Sequence, residues 1–195
     1  MTEAVQARTL KTRARLVDAA KEVIAETGYG AMRVEEVVRR AKVAKGTFFA
    51  HFSDKDALMD RLIGAQIDTL LDELEAHATP NSPSKITEAL LPLMGFMTCE
   101  RYVFDVILRY SGAAAREEVG PIAMTFERFL KVVSDWIAKG PFRQDAAPDI
   151  LAEGVQSFAV NAMALHFCAL HSDMTVQDRL TPYLELWLLP PSPLA

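Results

Sequence analysis

Only two cysteines occur in this chain, Cys99 and Cys168, and no C-x-x-C spacing relates them. That excludes a disulfide-stapled secreted scaffold and makes a reducing cytoplasm the expected compartment. Long apolar runs are missing as well. Nothing approaches the roughly 20 consecutive apolar residues that span a bilayer, and the N-terminus lacks the apolar stretch of a secretory signal. No segment alternates apolar and polar residues over strand length, and no internal repeat is present, so sheet architectures have no support. No Gly-rich loop follows a strand pattern, and no serine or cysteine sits in a nucleophile motif. The expectation is a non-enzyme with no catalytic residue and no cofactor. His166, Cys168 and His171 look superficially like metal ligands, but no single helix face presents all three, and two neighbours alone make a poor zinc site. No metal is expected.

Positive charge is scarce overall, with a net charge of −5 across 195 residues. Taken alone, that argues against nucleic acid as a partner. The distribution reverses the argument. Residues 1–60 carry 11 Lys+Arg against 9 Asp+Glu, and residues 61–195 carry 10 against 17. The front of the chain can approach phosphates while the acidic remainder is kept off them. Within the front, Arg8, Lys11, Arg13 and Arg15 form a basic cluster with no acidic residue among them. It reads either as a solvated face or as a flexible arm that reaches phosphates.

What is present is helical periodicity. Leu16, Ala20, Val23 and Ile24 mark a helix over 9–27, and Gly28 follows it as a C′ residue. Val34, Val37, Val38 and Ala41 mark a short helix over 34–41, and a still shorter one covers 45–51. Two short helices in quick succession are a helix-turn-helix signature. Asp54 is placed to cap a long helix over about 55–77. The Pro- and Ser-rich segment 79–84 breaks the pattern. Further helices follow over about 85–98, 100–111 and 116–139, then from Pro148, and within about 175–189. Gly120-Pro121 is a possible division of the 116–139 pattern, and Pro182 either kinks or starts the last helix. The expected fold is all-α with about nine helices. An N-terminal three-helix unit containing the helix-turn-helix, over 1–55, leads through a long helix into a larger helical domain over 56–195.

Residues 13–58 resemble the DNA-binding domain of the TetR family of bacterial transcriptional regulators. The resemblance rests on Ala20, Gly28-Tyr29, Val34, Ala41, Val43, Gly46-Thr47, His51-Phe52, Lys55 and Leu58. A recognition helix sets its first side chains against base edges in the major groove. Here these are Ala44, Lys45, Thr47 and Phe48. Lys45 suits guanine, Thr47 a base or a phosphate, and Phe48 a thymine methyl. The resemblance also implies backbone contacts by Phe49 and His51, and a phosphate on Lys55 at the start of the fourth helix. Four positions depart from the family pattern. Arg33 stands where Thr or Ser is usual and loses a helix cap, but it brings a cation near DNA. Lys42 stands where Gly is favoured, which strains a positive φ. Ala44 replaces Ser, and Phe49 replaces Tyr. Arg39, Arg40, Lys42 and Lys45 are available to compensate electrostatically.

The resemblance further implies a homodimer on a double-stranded, pseudo-palindromic DNA operator, and a ligand among the middle helices that shifts the fourth helix. A repressor released by its ligand is the favoured form. The candidate lining is Met94, Met97, Phe104, Ile107, Phe126, Phe129, Trp136, Phe158 and Met163, with Asn161 and His166 among the nearby polar groups. Met-rich walls suit a small, largely apolar effector. The last two helices are the expected dimer surface, through Ala159, Ala162, Ala169, Leu184, Trp187 and Leu188. The rival reading is a small-molecule-binding protein of the same fold with weak or lost DNA binding.

Overall fold

The computed structural model describes residues 2–112, 119–170 and 173–190, and all regular structure within them is helical. In chain order these are α1 (Thr2–Thr27), α2 (Val34–Arg40), α3 (Lys45–Phe49), α4 (Lys55–Ala76), α5 (Pro83–Met97), α6 (Arg101–Tyr110), α7 (Pro121–Lys139), α8 (Pro148–His166) and α9 (Val176–Leu188). The all-α expectation therefore holds among the described residues. Of the expected 116–139 helix, residues 116–118 lie outside the description, and Pro121 opens α7. Pro182 neither starts nor ends the last helix but lies inside α9. None of the described helices is long and apolar enough to cross a membrane. Nor does any described group of His, Cys, Asp and Glu assemble a metal site, and His171 lies outside the described residues.

The N-terminal head closes around a small apolar centre. Leu16, Ala20 and Val23 of α1 meet Val37 of α2, Phe48 of α3 and Phe52, all at most 3% exposed. Gly28 ends α1 at φ 83°, a left-handed conformation that favours glycine. One expectation needs correction. α1 begins at Thr2 rather than at 9, so the basic cluster lies on a helix and not on a flexible arm. The reason is plain: residues 6–15 are rich in Ala, Arg, Lys and Gln, which favour helix, but none of them is buried, and the first buried side chain of the helix is Leu16. Apolar periodicity therefore could not register the extension.

α4 connects the head to a body built from α5–α9. Its Ile63, Ile67 and Leu71 are buried, and it packs along α7, which in turn packs along α8. Gly64 permits the close crossing, since a Cβ there would lie 2.7 Å from Pro121 Cβ. Asp60, 7% exposed, accepts a 3.0 Å hydrogen bond from the Ile122 amide and caps the start of α7. Further along, Arg128 of α7 bridges Asp68, Asp72 and Glu75 on α4.

Candidate nucleic-acid interface and effector cleft

The start of α3 is the exposed edge of the head. Ala44, Lys45 and Phe49 face solvent, and Thr47 is half-buried. Phe48 is not available to a base. It is 0% exposed and packs against Phe52 at 5.6 Å between ring centroids, so the expected thymine contact is withdrawn. Phe49 is 48% exposed and stands edge-on to Phe48. His51 lies half-buried just beyond α3.

The departures noted in the sequence have visible consequences. Arg33 and Ala44 occupy the N-cap positions of α2 and α3, and neither side chain caps its helix. Each such loss costs about 0.5–2 kcal/mol relative to Ser or Asp. Lys42 has φ 52°, the one positive-φ non-glycine among the described residues. Arg15 braces that turn by donating to the carbonyls of Ala41 and Lys42. The cations of α2 and α3 are not free to compensate. Arg39 pairs with Glu36 at 2.6 Å. Arg40 is held by Glu26 and Glu36, and Lys45 pairs with Glu35 at 2.6 Å. Hydrogen bonds from Arg39 and Arg40 lower the Glu36 carboxyl to about 2.

Lys55 is also committed elsewhere. Its ammonium donates to the Gly30 carbonyl at 2.8 Å and lies 4.3 Å from the Tyr102 ring centre. Burial lowers its pKa. It belongs to a junction that sequence reasoning missed. Both oxygens of Glu100 accept amide hydrogen bonds from the α1–α2 loop, from Tyr29 at 2.8 Å and Gly30 at 2.9 Å. A Cβ on Gly28 would lie 2.7 Å from that carboxylate. The Tyr102 hydroxyl donates to Asp56 at 2.7 Å, and Arg109 pairs with the other Asp56 oxygen. Burial first, and Asp56 second, raise the Tyr102 phenol pKa. Head, α4 and α6 are thereby tied by directional bonds. The visible signal was Gly28-Tyr29-Gly30, two glycines flanking a site where a carboxylate can approach two amides.

The body contains a cleft walled by α4, α5, α7 and α8. It is lined by Ile67, Leu71, Leu90, Leu93, Met94, Met97, Thr125, Phe126, Phe129, Gln156, Ala159, Val160 and Met163. Of the candidate lining residues, Met94, Met97, Phe126, Phe129 and Met163 border this cleft. Phe104, Ile107, Trp136, Phe158, Asn161 and His166 do not. Phe104 packs on Phe167, and Trp136 lies against His77. Phe158 stacks on Tyr183, while Asn161 and His166 face solvent. A Met/aromatic stripe cannot say which side of a helix faces a cavity, and Phe104, Trp136 and Phe158 turn to other neighbours. The two polar liners are occupied at one end. Thr125 Oγ1 donates to Ile122 O at 2.6 Å, and Gln156 Nε2 to Phe126 O at 3.3 Å. Free space in the cleft is only about 30 Å³, roughly one water's share of liquid volume. A ligand enters only if the helices part.

The expected dimer residues are corrected in part. Ala159, Ala162, Leu184 and Leu188 are at most 5% exposed within the single chain. Trp187 is held by its Nε1–H on Leu151 O at 2.9 Å, above Gly154, where a Cβ would collide with its ring. The outward apolar groups of α8 and α9 instead include Ile150, Tyr183 and Leu186, the last 83% exposed, with half-buried Phe158 stacked on Tyr183.

A family model described as bacterial regulatory proteins, tetR family, matches residues 16–62. The A-factor receptor protein of Streptomyces griseus is 38% identical over 77 residues, which are 40% of this chain and 27% of that protein. The chain thus spans about a quarter of that relative's length. The fatty acid metabolism regulator protein of Bacillus subtilis is 24% identical over 136 residues, 67% of this chain and 70% of that one. Among solved structures, Thermus thermophilus FadR, a TetR-family repressor in complex with lauroyl-CoA, superposes with a TM-score of 0.64. That match has 18% identity and covers 94% of this chain and 98% of the other, a likeness of fold.

Proposed function

Because this chain belongs to the tetR family of bacterial regulatory proteins, we propose that it is a homodimeric repressor released from a pseudo-palindromic operator by an apolar ligand. Residues 1–55 form the DNA-reading head and 56–195 the effector and dimer body. Thr47 and Lys45, the latter by exchanging its exposed Glu35 partner for a base, read base edges, with Ala44 against a thymine methyl. Phe49, His51, Arg33 and Lys42 contact the backbone. Lys55 orients the head and joins a phosphate only by leaving Gly30. The dimer forms through the outward faces of α8 and α9, around Phe158, Tyr183 and Leu186. Two-fold symmetry then sets half-sites about one helical turn, or a multiple, apart.

The observation that carries the ligand-release reading is the position of the apolar cleft. Ile67 and Leu71 belong to the same helix whose first turn is bonded to the head. A ligand that parts α4 from α5 and α7 must move that helix or strain it. Long acyl chains fit a lining of Leu, Ile, Phe and three methionines, and the lauroyl-CoA complex of a protein with this fold makes acyl-CoA the first probe. The test is a footprint on DNA upstream of the chain's own gene, followed by titration with lauroyl-CoA, free laurate and a cationic dye. Release by the acyl compounds alone, with a raised melting temperature, is the expected result. No melting shift from any probe would remove the effector reading. A monomer at micromolar concentration in sedimentation would remove the dimer.

The uncapped α2 and α3 favour one other reading, a ligand-binding protein whose head no longer binds DNA. Negligible affinity for any duplex, even at low salt, would select it.

A further inference from the structure

The basic cluster of α1 is not absorbed by the recognition helix, and its geometry differs from that of the other head cations. Arg8, Lys11, Thr12 and Arg15 fall on one face of α1 at helical spacing. Together with Val43 and Thr47 they line an open groove between α1 and the start of α3. Arg8 and Lys11 are exposed, and no carboxylate of the described residues pairs with either. Arg39, Arg40 and Lys45 are by contrast each neutralised by a glutamate. Arg13, the fourth cation of the cluster, is turned away over the Phe52 ring at 5.1 Å. Arg15 is partly used by the α2–α3 turn.

Resting on the DNA-reading assignment above, we propose that this groove is a second phosphate site, which grips the DNA backbone outside the bases that α3 reads. From Arg8 to Arg15 the helix advances about 10 Å at 1.5 Å per residue. Successive phosphates of one strand advance about 3.4 Å along the duplex axis, so the face spans two to three nucleotides. Thr47 lies on the wall shared with α3, so backbone that enters the groove continues directly from the strand whose bases face the recognition helix. The ligand chemistry is the phosphodiester itself. Two unpaired cations per subunit carry no information about base identity, and they lengthen the footprint on each side without changing its sequence.

The test uses the full chain and a pseudo-palindromic duplex obtained by selection from a random pool. It is prepared in two lengths, with and without about one helical turn of flanking sequence on each side. The variant is Arg8→Ala with Lys11→Ala, both exposed and outside the core, and Lys21→Ala with Lys131→Ala, also exposed and away from the groove, controls for net charge. Arg15 is left intact because it braces the turn. Four phosphates lost per dimer should reduce the slope of log K against log salt by about 3 to 4. Between 50 and 200 mM salt the variant should then lose about a hundredfold less affinity than the parent. The selected sequence should stay the same. Trimming the flanks should weaken the parent and leave the variant unaffected. A variant slope equal to the parent's, or equal losses on trimming for both, would overturn the groove while leaving the head's assignment standing. If the parent itself shows no salt-dependent duplex binding, the head's assignment fails, and the groove with it.

Discussion

The two halves of α4 are held by different physics. Near its N-terminus the helix is fixed by directional polar bonds: Lys55 to Gly30, Asp56 to Tyr102 and Arg109, and Asp60 to the α7 amide. Further along, Ile67 and Leu71 lie against a non-directional apolar wall with about 30 Å³ to spare, and the polar ties there are the solvent-exposed bridges of Arg128 to Asp68, Asp72 and Glu75, which solvent weakens. Hydrogen bonds and ion pairs weaken steeply with distance and angle, so the first half has few geometries open to it. Apolar contact follows buried area and accepts a new partner of similar shape. A ligand can therefore replace the wall contacts of the second half without loss, whereas the first half must break bonds or stay in register. One helix thus joins a yielding end to a stiffer one, and the ligand-release proposal requires that added volume in the cleft be passed along it to the head.

The largest effect should come from the yielding half. Leu71 is 0% exposed, and Leu71→Ala should destabilise the protein by about 2–5 kcal/mol in urea denaturation, with an unchanged m-value. A loss below about 1 kcal/mol would mean that the helices close over the gap, and the cleft would then be softer than argued here. The stiff half should respond differently. Glu100→Ala removes an acceptor shared by two amides and should cost about 1–2 kcal/mol, a half-exposed case of a charged hydrogen bond. Its effect on DNA affinity should exceed what the lost stability explains, because the head loses its orientation. Equal DNA affinity for variant and parent would show that the junction is structural only.

Acid should separate the head from the body. The Glu36 carboxyl titrates at about 2 in the folded chain against an ordinary 4.5. A depressed folded value means that its contribution is complete above 4.5 and lost as pH falls from there toward 2. Glu26, lowered by its hydrogen bond to Arg40, acts in the same direction. The expected outcome is that amides of α2 lose hydrogen-exchange protection within that window before those of α7 and α8. Simultaneous loss throughout the chain would show that these exposed pairs hold nothing together.

How much of this was legible beforehand depends on which force did the work. Helix count, the Asp54 cap and the Gly28 stop were legible because periodicity and caps are local. The reach of α1 was not, since residues 6–15 are helical without burying a continuous stripe. Phe48 was misplaced for a related reason: a phenylalanine next to a recognition surface carries no mark of which way it points, and only the packing of Phe52 decides it. Of the expected cleft residues, Met97, Phe126 and Phe129 face the space, while Trp136 and Phe158 serve other contacts. The Glu100 junction joins residues 70 positions apart, a pairing that no local pattern encodes.

The smallest expected effect lies in the turn before α3, where strain and charge coincide. Lys42 holds φ 52°, which costs a non-glycine residue about 1–2 kcal/mol. Glycine removes that cost but adds about 0.4–1 kcal/mol of unfolded-state entropy. Lys42→Gly should therefore raise stability by between about 0 and 1.6 kcal/mol, with Arg15 still bracing the carbonyls of the turn. Its effect on binding should have the opposite sign. One cation lost per subunit should lower affinity for all duplexes and flatten the salt slope by about two for a dimer. A more stable protein that binds DNA less well would show that the strained lysine is kept for its charge. A variant with unchanged slope would mean that Lys42 lies outside the backbone's reach and that the strained lysine has no part in phosphate binding.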